Sequence, residues 1–241
     1  MKLEGKRILV VGGGSGIGFA VARACLAEGA KITIASTNAE KLASAAVRLG
    51  GGVETAVLDL TDEPAVARYF EHSGTFDHIA STAGDWGKAR RGPFVDMDMD
   101  DARALFGVRF WGSAILAKHG AKSVARGGSL TLTAGTSAYK PQKGSVMATA
   151  MAGSVEHLTW GLAVEFAPDV RVNAVFPGGV ATEIFKGLPE AMRKAEEARF
   201  TRQPIPRIGE PDEVAEAYLY LMKGGYTTGQ VLVTDGGGTF A

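Results

Sequence analysis

Short apolar runs rich in β-branched residues alternate along this chain with longer stretches whose apolar positions recur at helical spacing. Ile8-Leu9-Val10-Val11 is continuously apolar, the pattern of a strand covered on both faces. A helix is predicted over residues 19–28 and closed by Gly29, then a strand over 31–35, a helix over 38–49 and a strand over 53–58. Thr61-Asp62-Glu63-Pro64 opens the next helix, with Thr61 as the expected N-cap and the acids suited to a first turn. A brief strand over 78–80, a long helix over 98–124, a strand over 129–133, a helix over 144–166 and strands over 170–176 and 230–233 complete the series. Such alternation builds βαβ units, and so predicts an α/β, doubly wound parallel sheet of about seven strands with helices on both faces. No linker-like composition shift, low-complexity segment or solenoid period interrupts it, and residues 1–241 are expected to form one domain.

Composition narrows the function. There are 33 glycines in 241 residues, roughly twice the average usage of ~7 per cent, and they are neither periodic nor set among few apolar residues. Collagen-like and disordered readings therefore fail. Basic and acidic side chains number 26 each, so neither nucleic acid nor an anionic membrane is an expected partner. One cysteine excludes a disulfide framework, no apolar run approaches ~18 residues, and Met1-Lys2-Leu3-Glu4-Gly5 lacks a signal-peptide core. A cytoplasmic protein is the expectation.

The glycines concentrate after the first strand, where Gly12-Gly13-Gly14-Ser15-Gly16-Ile17-Gly18 runs directly into a helix. Backbone amides and a helix dipole there can receive a pyrophosphate, and glycines let phosphates approach the main chain. The spacing is G-x-x-x-G-x-G at Gly12, Gly16 and Gly18, since the third glycine of G-x-G-x-x-G would fall on Ile17. With a strand before, a helix after and βαβ units following, the loop predicts dinucleotide binding on a Rossmann-type sheet.

Over nearly its whole length the chain resembles the short-chain dehydrogenase/reductase family. The phosphate loop matches at Gly12, Gly14, Ser15, Gly16 and Ile17, with Val11 where threonine is common. Asp59-Leu60 match the pair that contacts adenine, and Ser81-Thr82-Ala83-Gly84 match an Asn-Asn-Ala-Gly element with both asparagines replaced. Arg171-Val172-Asn173-Ala174-Val175 match the sixth strand, and Pro177-Gly178-Gly179-Val180-Ala181-Thr182 the loop that holds the nicotinamide end. Gly229-Gln230 through Asp235-Gly236-Gly237 match the C-terminal signature. The resemblance implies an oxidoreductase that exchanges hydride between a nicotinamide dinucleotide and a carbonyl or alcohol, assembled as a homodimer or homotetramer on its two long helices.

An NAD-binding strand of this kind normally ends in an acid about 20 residues past the glycine loop. Here it ends Ala35-Ser36-Thr37-Asn38, with no acid and no basic residue. Ser36, Thr37, the Asn38 amide and the next helix N-terminus can donate to a 2′-phosphate, so NADP(H) is favoured over NAD(H). Lys41 is read as a solvated helix lysine.

The resemblance also implies a proton-donating tyrosine, a lysine one turn later and a serine about thirteen residues before the tyrosine. Counting back without a gap from Leu162-Ala163-Val164-Glu165-Phe166-Ala167, these positions fall on Ala148, Ala152 and Gly135, and the family's asparagine falls on Arg109. Tyr139-Lys140-Pro141-Gln142-Lys143 also has the Tyr-x-x-x-Lys spacing, but Pro141 and Gly144 argue against a helix there. Tyr139 and Lys143 therefore remain only substitute candidates for catalysis, with Thr136 and Ser137 beside them. Two functions stand open: an oxidoreductase working without the family's Tyr/Lys pair on an unidentified small molecule, and a turnover-free dinucleotide sensor or partner subunit.

The remaining constellations carry less. Asp96-Met97-Asp98-Met99-Asp100-Asp101 lacks the glycine and glutamate of a calcium loop, and His72, His78, His119 and His157 lack metal spacing. Lys88, Arg90 and Arg91 follow the fourth strand and are read as a solvated loop. Residues 183–206 are the expected substrate lid, with Ile184, Phe185, Leu188 and Met192 covering an apolar ligand and Glu190, Arg193, Lys194, Glu196 and Glu197 facing water.

Overall fold

The computed structural model describes residues 2–84 and 92–241, so Lys88, Arg90 and Arg91 lie outside the described residues, as do the side chains of Ile184 and Met192. Seven parallel strands are β1 (Arg7–Val11), β2 (Lys31–Ser36), β3 (Glu54–Val57), β4 (Phe76–Ser81), β5 (Val124–Thr133), β6 (Val170–Pro177) and β7 (Val231–Thr234). Their order across the sheet is β3-β2-β1-β4-β5-β6-β7. The doubly wound, Rossmann-type expectation holds.

Alternate side chains of β1 enter two different cores, as the strand's period of two requires. Leu9 and Val11 pack with Leu116, Met151 and Val155 on one face. Ile8 and Val10 pack with Val21, Leu42, Val214 and Tyr218 on the other. The first face is covered by α3 (Glu63–His72), α5 (Ser113–Gly120) and α6 (Val146–Glu165). The second is covered by α1 (Gly16–Ala27), α2 (Ala39–Arg48) and α9 (Pro211–Lys223). Chain direction across the sheet reverses between β1 and β4, which opens a crevice at their carboxyl ends. No helix among the described residues is long and apolar enough to cross a membrane.

Several boundaries differ from the sequence expectation. The cap of α3 is Asp62, whose Oδ1 accepts from Ala65 N at 3.0 Å, rather than Thr61. Thr61 is drawn back instead, donating from N and Oγ1 to Asp59 Oδ1 at 2.8 and 2.7 Å. The helix expected over 98–124 is broken into α4 (Met99–Ala104), a π-helical segment (Gly107–Gly112) and α5, and residue 124 already begins β5. Gly107 and Gly112 weaken a continuous helix. Gly112 is also needed for packing, since a Cβ there would lie 2.8 Å from Leu60 Cβ. Gly144, at φ +80°, precedes α6 rather than joining it.

His78 on β4 is buried, with Nδ1 2.9 Å from Ser129 Oγ. Burial, and next the Arg171 charge, push its pKa from 6.5 down to about 4, against a smaller opposing pull from Asp77. The unfolded chain therefore binds this proton first as pH falls, so stability is full above about 6.5 and is lost toward about 4. Urea unfolding at about pH 7 and about pH 5 is expected to differ by roughly 2 kcal/mol through this group, and His78→Gln to remove that part of the difference. An unchanged pH dependence in the variant would exclude it.

Candidate functional site

The site grows from two chain segments that leave the sheet side by side. Val11 O accepts from Thr82 N at 2.8 Å and from Thr82 Oγ1 at 3.0 Å, tying the glycine loop after β1 to the segment after β4. Gly12, at φ +84°, has no room for a side chain: a Cβ would stand 2.6 Å from Thr82 Oγ1 and 2.8 Å from Ala83 N. A Cβ at Gly18 would meet Gly12 O at 2.3 Å. These glycines let the loop, α1 and the end of β4 pack without intervening side chains.

Ser15 is the N-cap of α1, yet its side chain makes no capping bond and the first turn holds no acid. The positive end of a 12-residue helix is thus left for a ligand, facing a cavity of about 570 Å³. Gly12, Gly14, Ser15, Gly16 and Ile17 line this cavity together with Ser36, Thr37 and Asn38. So do Asp59, Leu60, Thr82, Ala83 and Gly84, and, from the far side, Pro177, Gly178, Val180 and Thr182. Sequence positions as distant as 12 and 182 therefore meet around one space.

Asn38, which lines the cavity, caps α2 through Oδ1, which accepts from Lys41 N at 2.8 Å, so its amide nitrogen is not used by the cap. Lys41 also lines the cavity, a contribution that its reading as a solvated residue understates. Arg48 braces the loop from behind, stacked over Phe19 at 4.2 Å and donating to Gly14 O at 3.4 Å.

Arg109 is the functional candidate that sequence reasoning missed. It sits in the π-helical segment, is only 7% exposed, lines the cavity and donates from Nη1 to Ala134 O at 3.3 Å. A Cβ on Gly84 would fall 2.4 Å from its guanidinium carbon, so Gly84 makes the space it occupies. Counted along the chain it was only a missing asparagine. The available signal was an arginine between apolar residues in Gly107-Val108-Arg109-Phe110-Trp111.

A second cavity, of about 790 Å³, shares Pro177, Gly178, Gly179, Glu196 and Phe200 with the first. The Phe200 ring lies directly on Gly179, where a Cβ would clash with it. Gly135, Thr136, Ser137, Lys143 and Ala148 line this second space. Tyr139 lines neither cavity. Its hydroxyl donates to Glu156 Oε1 and its ring packs near Phe176, 5.8 Å between centroids. Burial and the bond to Glu156 push its pKa up, the opposite of an activated acid. Tyr139 and Lys143 also lie outside any helix, in the segment between β5 and α6.

The lid contains α7 (Glu183–Lys186) and α8 (Glu190–Phe200). Phe185 and Leu188 do line the first cavity. Glu196, expected to face water, instead lines both cavities, drawn in alongside Arg199, whose Nη1 stands 2.7 Å from its carboxylate.

A glycine-rich turn at the switch point of a seven-stranded parallel sheet, opening on a helix N-terminus and a long cleft, defines a nucleotide-binding α/β protein. A family model described as Enoyl-(Acyl carrier protein) reductase matches residues 12–239. A short-chain dehydrogenase/reductase of Stachybotrys chlorohalonatus is 32% identical over 252 residues, covering 98% of this chain and 97% of its own. The solved MalC reductase/Diels-Alderase of Malbranchea aurantiaca superposes with a TM-score of 0.90 at 34% identity, over 99% of this chain and 98% of its own. A small-chain dehydrogenase solved in complex with NADPH gives 0.84 at 34% identity, over 99% and 100%. The chain belongs to the short-chain dehydrogenase/reductase family of oxidoreductases.

Proposed function

We propose that this chain is an NADP(H)-dependent oxidoreductase interconverting a carbonyl compound and its alcohol without a tyrosine–lysine pair. The observation that carries this reading is a buried guanidinium, Arg109, lining the first cavity against Ala134, next to Gly135. On the gapless count, Gly135, Ala148 and Ala152 replace the family's serine, tyrosine and lysine, leaving no side chain of the ordinary machinery. When bound, the coenzyme supplies or accepts the hydride. Arg109 stabilises negative charge developing on the carbonyl oxygen, which is taken to its alcohol by a proton from water. A fixed cation with few water contacts does this without reorganisation as the charge appears.

For the coenzyme, Gly12, Gly14, Ser15, Gly16 and Ile17 would hold the pyrophosphate, and Asp59 and Leu60 the adenine. Thr82, Ala83, Gly84, Pro177, Gly178, Val180 and Thr182 would hold the nicotinamide end. Ser36, Thr37, the Asn38 amide and Lys41 would receive a 2′-phosphate, with the relative solved with NADPH in support. The sensor or partner-subunit alternative is not favoured, because relatives matching the whole length carry the names of reductases and dehydrogenases. Exposed Trp111, Trp160 and Val164 support a homodimer or homotetramer.

Titration followed by nicotinamide fluorescence is expected to give saturable NADPH binding, tighter than NADH. Lys41→Gln is expected to weaken NADPH by about five- to tenfold and leave NADH unchanged, the worth of one exposed charge-assisted hydrogen bond. Equal affinity for both coenzymes would overturn the NADP(H) assignment, and no saturable signal with either would overturn coenzyme binding.

A further inference from the structure

Four cationic side chains, Lys140, Lys143, Arg199 and Arg202, line the second cavity against two acids, Glu196 and Asp235. Arg199 is paired with Glu196 at 2.7 Å. Lys140 donates to the carbonyl oxygens of Gly238 and Ala241. The Asp235 carboxylate is held by its own turn, accepting from Gly237 N at 2.9 Å and Thr239 N at 2.7 Å, and from Thr239 Oγ1 at 2.5 Å. Lys143 and Arg202 remain. Both line the cavity, from the β5–α6 segment and from the end of the lid, and neither side chain has a hydrogen bond or ion pair among the described residues. The inner wall differs: Gly135 and the buried Ala148 offer no charge.

We infer that the second cavity selects a carbonyl substrate carrying a carboxylate or phosphate group, with Lys143 and Arg202 gripping the anion while the carbonyl end lies toward Gly135 and Ala148. This deepens the oxidoreductase reading, since it names the substrate class for the same site. Two cations from separate segments converging on one cavity favour an anion over a neutral or cationic ligand. An Arg fork can take a carboxylate or phosphate through two parallel bonds, and a lysine adds a point charge.

Calorimetric titration uses two matched pairs: levulinate against methyl levulinate, and dihydroxyacetone phosphate against dihydroxyacetone. NADP⁺-loaded protein keeps the phosphate loop occupied and prevents reduction; unloaded protein is measured in parallel. The anion of a pair is expected to bind at least about tenfold tighter than its neutral partner, with affinity falling as salt rises. The double variant Lys143→Gln/Arg202→Gln is expected to erase that preference while NADP⁺ affinity stays unchanged. Which pair shows the preference distinguishes carboxylate from phosphate. Equal binding within both pairs, no anion binding at all, or a preference that survives the double variant would overturn the inference. Loss of coenzyme binding would strike the oxidoreductase reading alone, because the anion measurement on unloaded protein does not depend on it.

Discussion

Replacing Arg109 with methionine is expected to lower kcat for carbonyl reduction by about 10²–10³, the range for loss of one donor to a developing oxyanion. Methionine fills much of the same space while removing the charge, so the NADPH affinity and melting temperature test whether the site stays intact. Arg109→Lys should fall between, since it keeps a cation but loses the planar fork that reaches Ala134 O. The pH profile gives a second signature. A guanidinium stays protonated throughout the working range, so this group adds no titration to kcat between about pH 6 and pH 10. Tyr139, held by Glu156 and raised by burial, adds none either, and Tyr139→Phe should leave kcat within about twofold. Wild-type kcat in Arg109→Met, with NADPH still bound, would remove Arg109 from the mechanism. Loss of turnover in Tyr139→Phe would restore the tyrosine.

The middle of the sheet was legible because β1 is buried on both faces and therefore reads as an uninterrupted apolar run from Ile8 to Val11. The first cavity was legible for a different reason. Backbone that must approach a ligand or another backbone has to be glycine, and Gly12 and Gly18 prove to have no room for a Cβ. What stayed hidden depends on contacts between distant segments. Thr61 makes a credible cap until Asp59 takes its hydroxyl. Within the helix expected over 98–124, Gly112 packs so closely on Leu60 that a Cβ would clash, a contact that periodicity cannot register. Arg109 reads only as a replaced asparagine and Glu196 as a water-facing acid, and the π-helical segment and the lid bring them to the cavities. A one-dimensional pattern records which face of an element is apolar. It does not record which charge on that element a later segment will enclose.

The same distinction decides what happens when serine, tyrosine and lysine are placed at the positions that the gapless count assigns to them. Ala148 lines the second cavity, and a Cβ at Gly135 would meet nothing closer than Pro177 O at 3.8 Å. Gly135→Ser is therefore expected to cost less than about 1 kcal/mol, and Ala148→Tyr, buried but bordering the cavity, about 1–2 kcal/mol. Ala152 is different: it is 0% exposed, lines neither cavity and belongs to the core that includes Met151 and Val155. Ala152→Lys forces an ammonium and four methylenes into that packing, at about 3 kcal/mol or more, or roughly 6–12 °C in Tm for a chain of this size. The sign of its pH dependence separates charge from crowding. Burial lowers the lysine pKa below its unfolded value of ~10.4, so the charge penalty exists below that pH and disappears as pH rises through it. Measured against the wild type, the deficit should shrink between about pH 7 and pH 10, leaving a smaller, pH-independent remainder from overpacking. A melting temperature within about 2 °C of the wild type would mean that the core around Ala152 opens readily to admit a lysine. Otherwise the alanine is part of the packing itself, and a tyrosine–lysine pair cannot be restored here by exchanging side chains alone.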